Sequence, residues 1–143
     1  MDNCIKMLLK YLVLFFVYGC IYYMIEILYR GYSDISMLLL GGICGCAIGA
    51  LNEFFLWETP FLKQCVIGAI IVTVLELITG YIVNICLGWN VWDYSNLPCS
   101  FFNGQINLFF SIAWFFLSAI AIVLDDWLRY WLFKEEKPHY KWL

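Results

Sequence analysis

Charge is what this chain has least of. Only 13% of its 143 residues are Asp, Glu, Lys or Arg, while 64% are hydrophobic and 20% aromatic. A soluble domain averages roughly 25% charged and 45–50% apolar, so the scarcity excludes an ordinary soluble fold and points to an integral membrane protein. Histidine occurs once, at His139 in the tail. That leaves no imidazole in the apolar runs for a Ser-His or Cys-His pair. Cys44-Gly-Cys46 lacks metal-ligand spacing, so no zinc or haem site is read. No Gly-x-x-x-x-Gly-Lys-Ser/Thr run exists, so the chain is not itself a P-loop ATPase. No basic stripe or nucleic-acid motif is present, so no nucleic-acid partner is expected. No catalytic residue, metal ligand or cofactor is assigned. Six of the seven cysteines lie in or beside apolar runs, where Cys behaves as a small hydrophobe. Cys99 sits in a polar loop; free thiols are expected there and at Cys86, with a Cys86–Cys99 bridge as the alternative.

What the chain does have is long apolar runs. Four are read, at about residues 7–29, 36–55, 61–87 and 103–128, separated by charged or Gly/Pro-containing loops. The first follows Lys6 and Lys10 as a signal peptide would. It is too long for one, carries Glu26 and lacks a small-x-small cleavage site, so it is read as a retained helix. The expected fold is all-α: one domain, residues 1–143, forming a four-helix transmembrane bundle. Both termini then share a side with Lys6, Lys10, Lys63, Arg129, Lys134, Lys137 and Lys141, leaving Arg30 alone on the other. The positive-inside rule makes that side cytoplasmic in a multi-pass plasma-membrane protein. Residues 133–143 are expected as a short, solvated cytoplasmic tail, with Trp142 touching the interface.

Within the third run stands one carboxylate, Glu76. An ionised side chain near the bilayer centre costs at least ~2.5–3.5 kcal/mol, and such residues face the bundle interior or a water-filled cavity. No lysine or arginine shares its depth, so a protonated carboxyl is expected, able to donate to a carbonyl, to Asn84 or to Asn103. Glu26 lies in the outer part of the first helix. Asp93 and Tyr94 lie in the outer loop, and Asn103 and Gln105 open the fourth helix from the same side. These six are expected to form one ligand or proton site around an outward-facing polar cavity. Blander readings stand beside this. Glu26 and Arg30 make an i,i+4 pair; Glu76 is an interhelical hydrogen-bonding group; Trp92-Asp93-Tyr94 is an interface anchor with Asp93 capping a turn.

At the other end lie Glu53, Asp125 and Asp126, with Lys63 and Arg129 nearby. They are read as helix-end charge pairing, or alternatively as a cytoplasmic gate or partner-docking patch. In the second run, Gly41, Gly45 and Gly49 recur every fourth residue, a smooth face for close helix packing. The partner is either another helix of the chain or, through a homodimer or other membrane subunit, a second chain.

Trp92-Asp93-Tyr94-Ser95-Asn96-Leu97-Pro98, then Gly104-Gln105-Ile106, then Ser111 to Trp114, resembles the ABC-transporter type IV, or CmpB-like, family of small integral membrane proteins. Gly19 and Glu26 in the first helix and Glu76 in the third fit the same pattern. The resemblance covers most of the chain. It implies that Glu26, Glu76, Trp92, Asp93, Tyr94, Gly104 and Gln105 belong to a shared core, and it brings no substrate. The leading reading is transport-related, a permease-like or accessory subunit working in the lipid bilayer. The alternatives are a membrane-embedded enzyme using the carboxylates as acid and base, or a scaffold without ligand.

Overall fold

The computed structural model describes residues 2–55 and 57–143. The protein is all-helical apart from one two-residue hairpin. Among the described residues three helices are long and apolar enough to cross a membrane: α1, Asp2–Arg30; α4, Phe61–Gly80, prolonged by a π-helical turn, Tyr81–Cys86; and α5, Leu108–Phe133. Between them lie α2, Ile35–Gly49, and the single turn α3, Leu51–Phe54.

The second apolar run is therefore two pieces. At 1.5 Å per residue, the 15 residues of α2 reach roughly 22 Å, short of the ~30 Å hydrocarbon core. The break is slight. Ala50 keeps right-handed helical angles (φ −67°, ψ −14°) and its N–H still bonds Cys46 and Ile48 carbonyls.

Two helical hairpins make up the body. Residues 31–34 turn α1 into α2, with Gly31 at φ 82°, and Asp34 caps α2 by accepting from the Ser36 N–H (2.8 Å). Hydrogen bonds from Ser36 hold the Asp34 carboxyl below its usual range. α1 packs mainly on α2 and α4 on α5, while α2 also touches α4 and α5. The glycines make the first of these contacts close. A Cβ at Gly41 would run into the Tyr22 ring, and one at Gly45 into Tyr18. At Gly41 and Gly45 the glycine face is occupied from within the chain, by α1.

Two boundaries differ from expectation. The fourth helix begins at Leu108, because Cys99, Phe102, Asn103 and Gly104 all have left-handed φ values (53° to 76°) that no α-helix accommodates. Phe102, Asn103 and Gly104 lie instead in the turn of an antiparallel hairpin, β1 Ser100–Phe101 with β2 Ile106–Asn107, and Cys99 leads into its first strand. Asn107 then caps α5 by accepting from the Phe109 N–H (2.9 Å). The tail is the second difference. Lys134, at φ 58°, ends α5 in a left-handed cap and turns the chain back. The Phe61 N–H donates to the Lys141 carbonyl (2.6 Å), and Tyr140 and Trp142 pack edge-on against Phe61. Tyr140 also donates to Asp126 (2.9 Å). Burial, and then that carboxylate, push the Tyr140 hydroxyl above its ordinary pKa. The aromatic residues dock the tail against the start of α4, while Lys137 and His139 are exposed.

Candidate functional site

Glu76 is 3% exposed, on the inner face of α4. Its two oxygens accept from different elements: Oε1 from the Tyr94 hydroxyl (3.0 Å) and Oε2 from the Trp114 indole N–H (3.1 Å). Neither Asn84 nor Asn103 is its partner, contrary to expectation; both donors are aromatic. Among the described residues no lysine or arginine pairs with it. The one cation at this end, Arg30, is bound to Glu26 (2.6 Å) and to the Val91 carbonyl (2.8 Å), and its guanidinium lies over the Tyr32 ring. Glu26 also accepts from Tyr22 (3.3 Å).

The loop between α4 and α5 folds into a lid built on Asn84, in the π-helical turn. Its Oδ1 accepts from the Val91 N–H (2.7 Å) and its Nδ2 donates to Gln105 Oε1 (2.9 Å). Trp92 is buried and donates from its indole to the Gln105 carbonyl (3.1 Å). Gln105 itself donates to the Asn103 carbonyl (3.3 Å). Tyr94 stacks on Phe110 with ring centroids 4.8 Å apart, which aims its hydroxyl at Glu76. The six candidate residues therefore do not converge on one cavity. Glu76 and Tyr94 meet directly. Glu26 is paired with Arg30 and accepts from Tyr22 instead. Gln105 belongs to the lid interior. Asp93 is exposed and accepts from the Ser95 N–H (2.8 Å), which holds its carboxyl below the usual range. Asn103 is an exposed turn residue. Gly104 is required where it stands: its φ is 76°, and a Cβ there would strike Asp93 and Ser95.

Beside Glu76 lies a cavity of about 130 Å³, almost wholly apolar. It is a crevice between α1 and α5, floored by α2 and α4. Ring and hydroxyl contacts bridge α1 to α5 above and below it: Tyr22 against Trp114 (5.8 Å between centroids), and the Tyr18 hydroxyl donating to Asp125. Ile21, Ile25 and Ile120 line its mouth and are exposed. The Ser118 hydroxyl, fully buried and without a hydrogen-bond partner among the described residues, also lines it.

At the other end, the predicted charge set is a network with a buried Asp125–Arg129 centre and an exposed Glu53. Arg129 is 4% exposed and Asp125 0%. Arg129 pairs with Asp125 (2.7 Å) and with Glu53, and Glu53 in turn pairs with Lys10 (3.2 Å) and accepts from Tyr11. Lys10 also holds Glu135 of the tail (2.8 Å). Gly49 leaves room for the Asp125 carboxylate, which a Cβ would displace. One network thus joins α1, α3, α5 and the tail. Lys63 contributes nothing to it among the recorded pairs.

Among the described residues no group of three or more His, Cys, Asp and Glu side chains is arranged to hold a metal ion. All seven cysteines, Cys86 and Cys99 included, are free thiols. Sequence reasoning missed Trp114, Tyr18 and Tyr22 as site residues. The signal for Trp114 was available: an indole N–H inside an apolar helix needs an acceptor, and Glu76 was the acceptor in want of a donor.

No curated protein and no solved structure matches the chain. A family profile does, over residues 13–141, which takes in α1 from Val13 onward, α2 to α5 and the lid. The chain belongs to the family ABC_trans_CmpB, described as "Putative ABC-transporter type IV".

Proposed function

We propose that this is a transport-related multi-pass membrane protein, a permease-like or accessory subunit, in which Glu76 is the ligand- or proton-handling group. The observation that carries this reading is a carboxylate without a cationic partner, buried at mid-helix on the wall of a crevice between α1 and α5. An outward-facing polar cavity has less support than a lateral apolar one, because Glu76 is dry on the loop side and Tyr94 and the lid cover it. Any ATPase function comes from another chain. A second copy or subunit docks elsewhere than at Gly41 and Gly45, whose face is filled by Tyr22 and Tyr18.

Four crossings are supported by pairings at the two ends, and the cytoplasmic placement of the termini rests on the lysine and arginine bias. α2 and α3 together run about 20 residues, roughly 30 Å of helix. Their far end, Glu53, meets Lys10 and Tyr11 of α1, while their near end follows directly on Arg30. The pair therefore covers the same height as α1 between Tyr11 and Arg30.

A second reading, a scaffold in which Glu76 only locks helices together, is favoured by its two satisfied hydrogen bonds. The two readings part on access. In proteoliposomes, a lipid-soluble carbodiimide is expected to modify Glu76, as read by peptide mass spectrometry, and a membrane-impermeant carbodiimide to leave it alone. Absence of any adduct at Glu76 with the lipid-soluble reagent decides for the scaffold.

A further inference from the structure

Two unspent features meet in the crevice. One is negative charge. Of the two carboxylates Glu26 and Glu76, Glu26 alone holds a cation among the described residues, and that cation, Arg30, is committed to it and to the Val91 carbonyl. Glu76 receives only the neutral donors Tyr94 and Trp114. The other is an aromatic and aliphatic lining. Tyr22 and Trp114 pack against each other (5.8 Å between centroids) in the lining that also holds Glu76, and the isoleucines of the mouth face the surroundings rather than the protein core. A carboxylate flanked by aromatic rings in a dry site favours a weakly hydrated cation, which ring faces attract by about 0.5–2 kcal/mol. A strongly hydrated ion gains nothing from such walls, and an anion is repelled.

We propose that the crevice between α1 and α5 binds a lipophilic monovalent cation entering sideways from the bilayer, its charge set against Glu76 and its apolar body against Ile21, Ile25 and Ile120. This names the ligand class for the site proposed above and rests on that reading. α1 and α5 share only side-chain bridges at this height, so the ligand enters by parting Tyr22 from Trp114, with no backbone hydrogen bond broken. The buried Ser118 hydroxyl supplies a neutral polar contact deeper in the crevice.

The test is equilibrium binding of radiolabelled benzyltrimethylammonium to the purified full chain in phosphatidylcholine nanodiscs. Its neutral carbon isostere, neopentylbenzene, serves as competitor. Saturable binding at one site per chain is expected, with the isostere competing only weakly. Glu76→Gln keeps one acceptor, for the Trp114 indole, and turns an amide donor toward the Tyr94 hydroxyl, which can accept it; the variant is expected to weaken binding about tenfold or more, the size of one charge contact in a desolvated site. Ala121→Leu fills the crevice from α5, leaves Glu76 in place, and is expected to abolish binding. Absence of saturable binding, or equal affinity in wild type and Glu76→Gln, overturns the proposal. Carbodiimide modification of Glu76 on the same preparation separates the two levels. An adduct without cation binding overturns the ligand class alone; neither adduct nor binding overturns the site as well.

Discussion

Replacing Arg129 with methionine is expected to cost about 3–5 kcal/mol of folding stability, the range for removing one partner of a buried ion pair. The reason is what the substitution leaves behind. Asp125 is fully buried, and besides Arg129 only the Tyr18 hydroxyl donates to it among the recorded bonds. Without the guanidinium its carboxylate has no counter-charge, and Glu53 keeps only the more exposed Lys10. Four segments lose their shared fastener, so the tail and the α3 turn are expected to loosen together. Thermal unfolding in detergent micelles measures the loss. Removing Asp125 as well, in Arg129→Met with Asp125→Asn, is expected to recover part of it, because the pair's worth lies largely in not stranding a charge. A double variant as unstable as the sum of the singles would mean that Arg129 acts through its packing.

The lid has a comparable weak point in Asn84. Asn84→Leu preserves size and removes both ends of the amide. The Val91 N–H and Gln105 Oε1 then lose their recorded partners, each at about 1–3 kcal/mol for a buried unsatisfied group. The effect is expected to stay at the loop end. Amide exchange at Val91 and Trp92 should rise by orders of magnitude while α1 and α2 remain protected, as hydrogen-exchange mass spectrometry would read. Uniformly faster exchange throughout the chain would mean that the lid is not a separate unit of stability.

Much of the fold was legible because apolar runs and charges are coarse signals. The three long helices follow from hydropathy alone, and the Asp93 cap and the Glu26–Arg30 pair follow from local spacing. The start of α5 was not legible, since Asn103-Gly104-Gln105 reads equally as a helix opening or as a tight turn. Only the run of left-handed residues decides it. The partners of Glu76 were not legible either. Tyr94 is 18 residues away and Trp114 is 38. What brings them together is the stacking of Tyr94 on Phe110 and the packing of α5 on α4, and neither leaves a periodic trace. The docked tail was missed because its composition, charged and short, resembles a solvated end. The informative residues were Tyr140 and Trp142, two aromatics with Phe61 to cover.

Sidedness is the central claim: the lid and the Arg129 network are proposed to lie on opposite faces of one membrane, with the crevice between. Cys4 in α1 and Cys99 in the lid are both exposed free thiols at opposite ends of the molecule. Each is kept in turn as the sole cysteine and treated with a membrane-impermeant maleimide in intact cells, then again after permeabilisation. The expected result is that Cys99 reacts in intact cells and Cys4 only once the membrane is opened. Labelling of both thiols from the same side would contradict the four-crossing arrangement, and with it the placement of Glu76 between two aqueous faces.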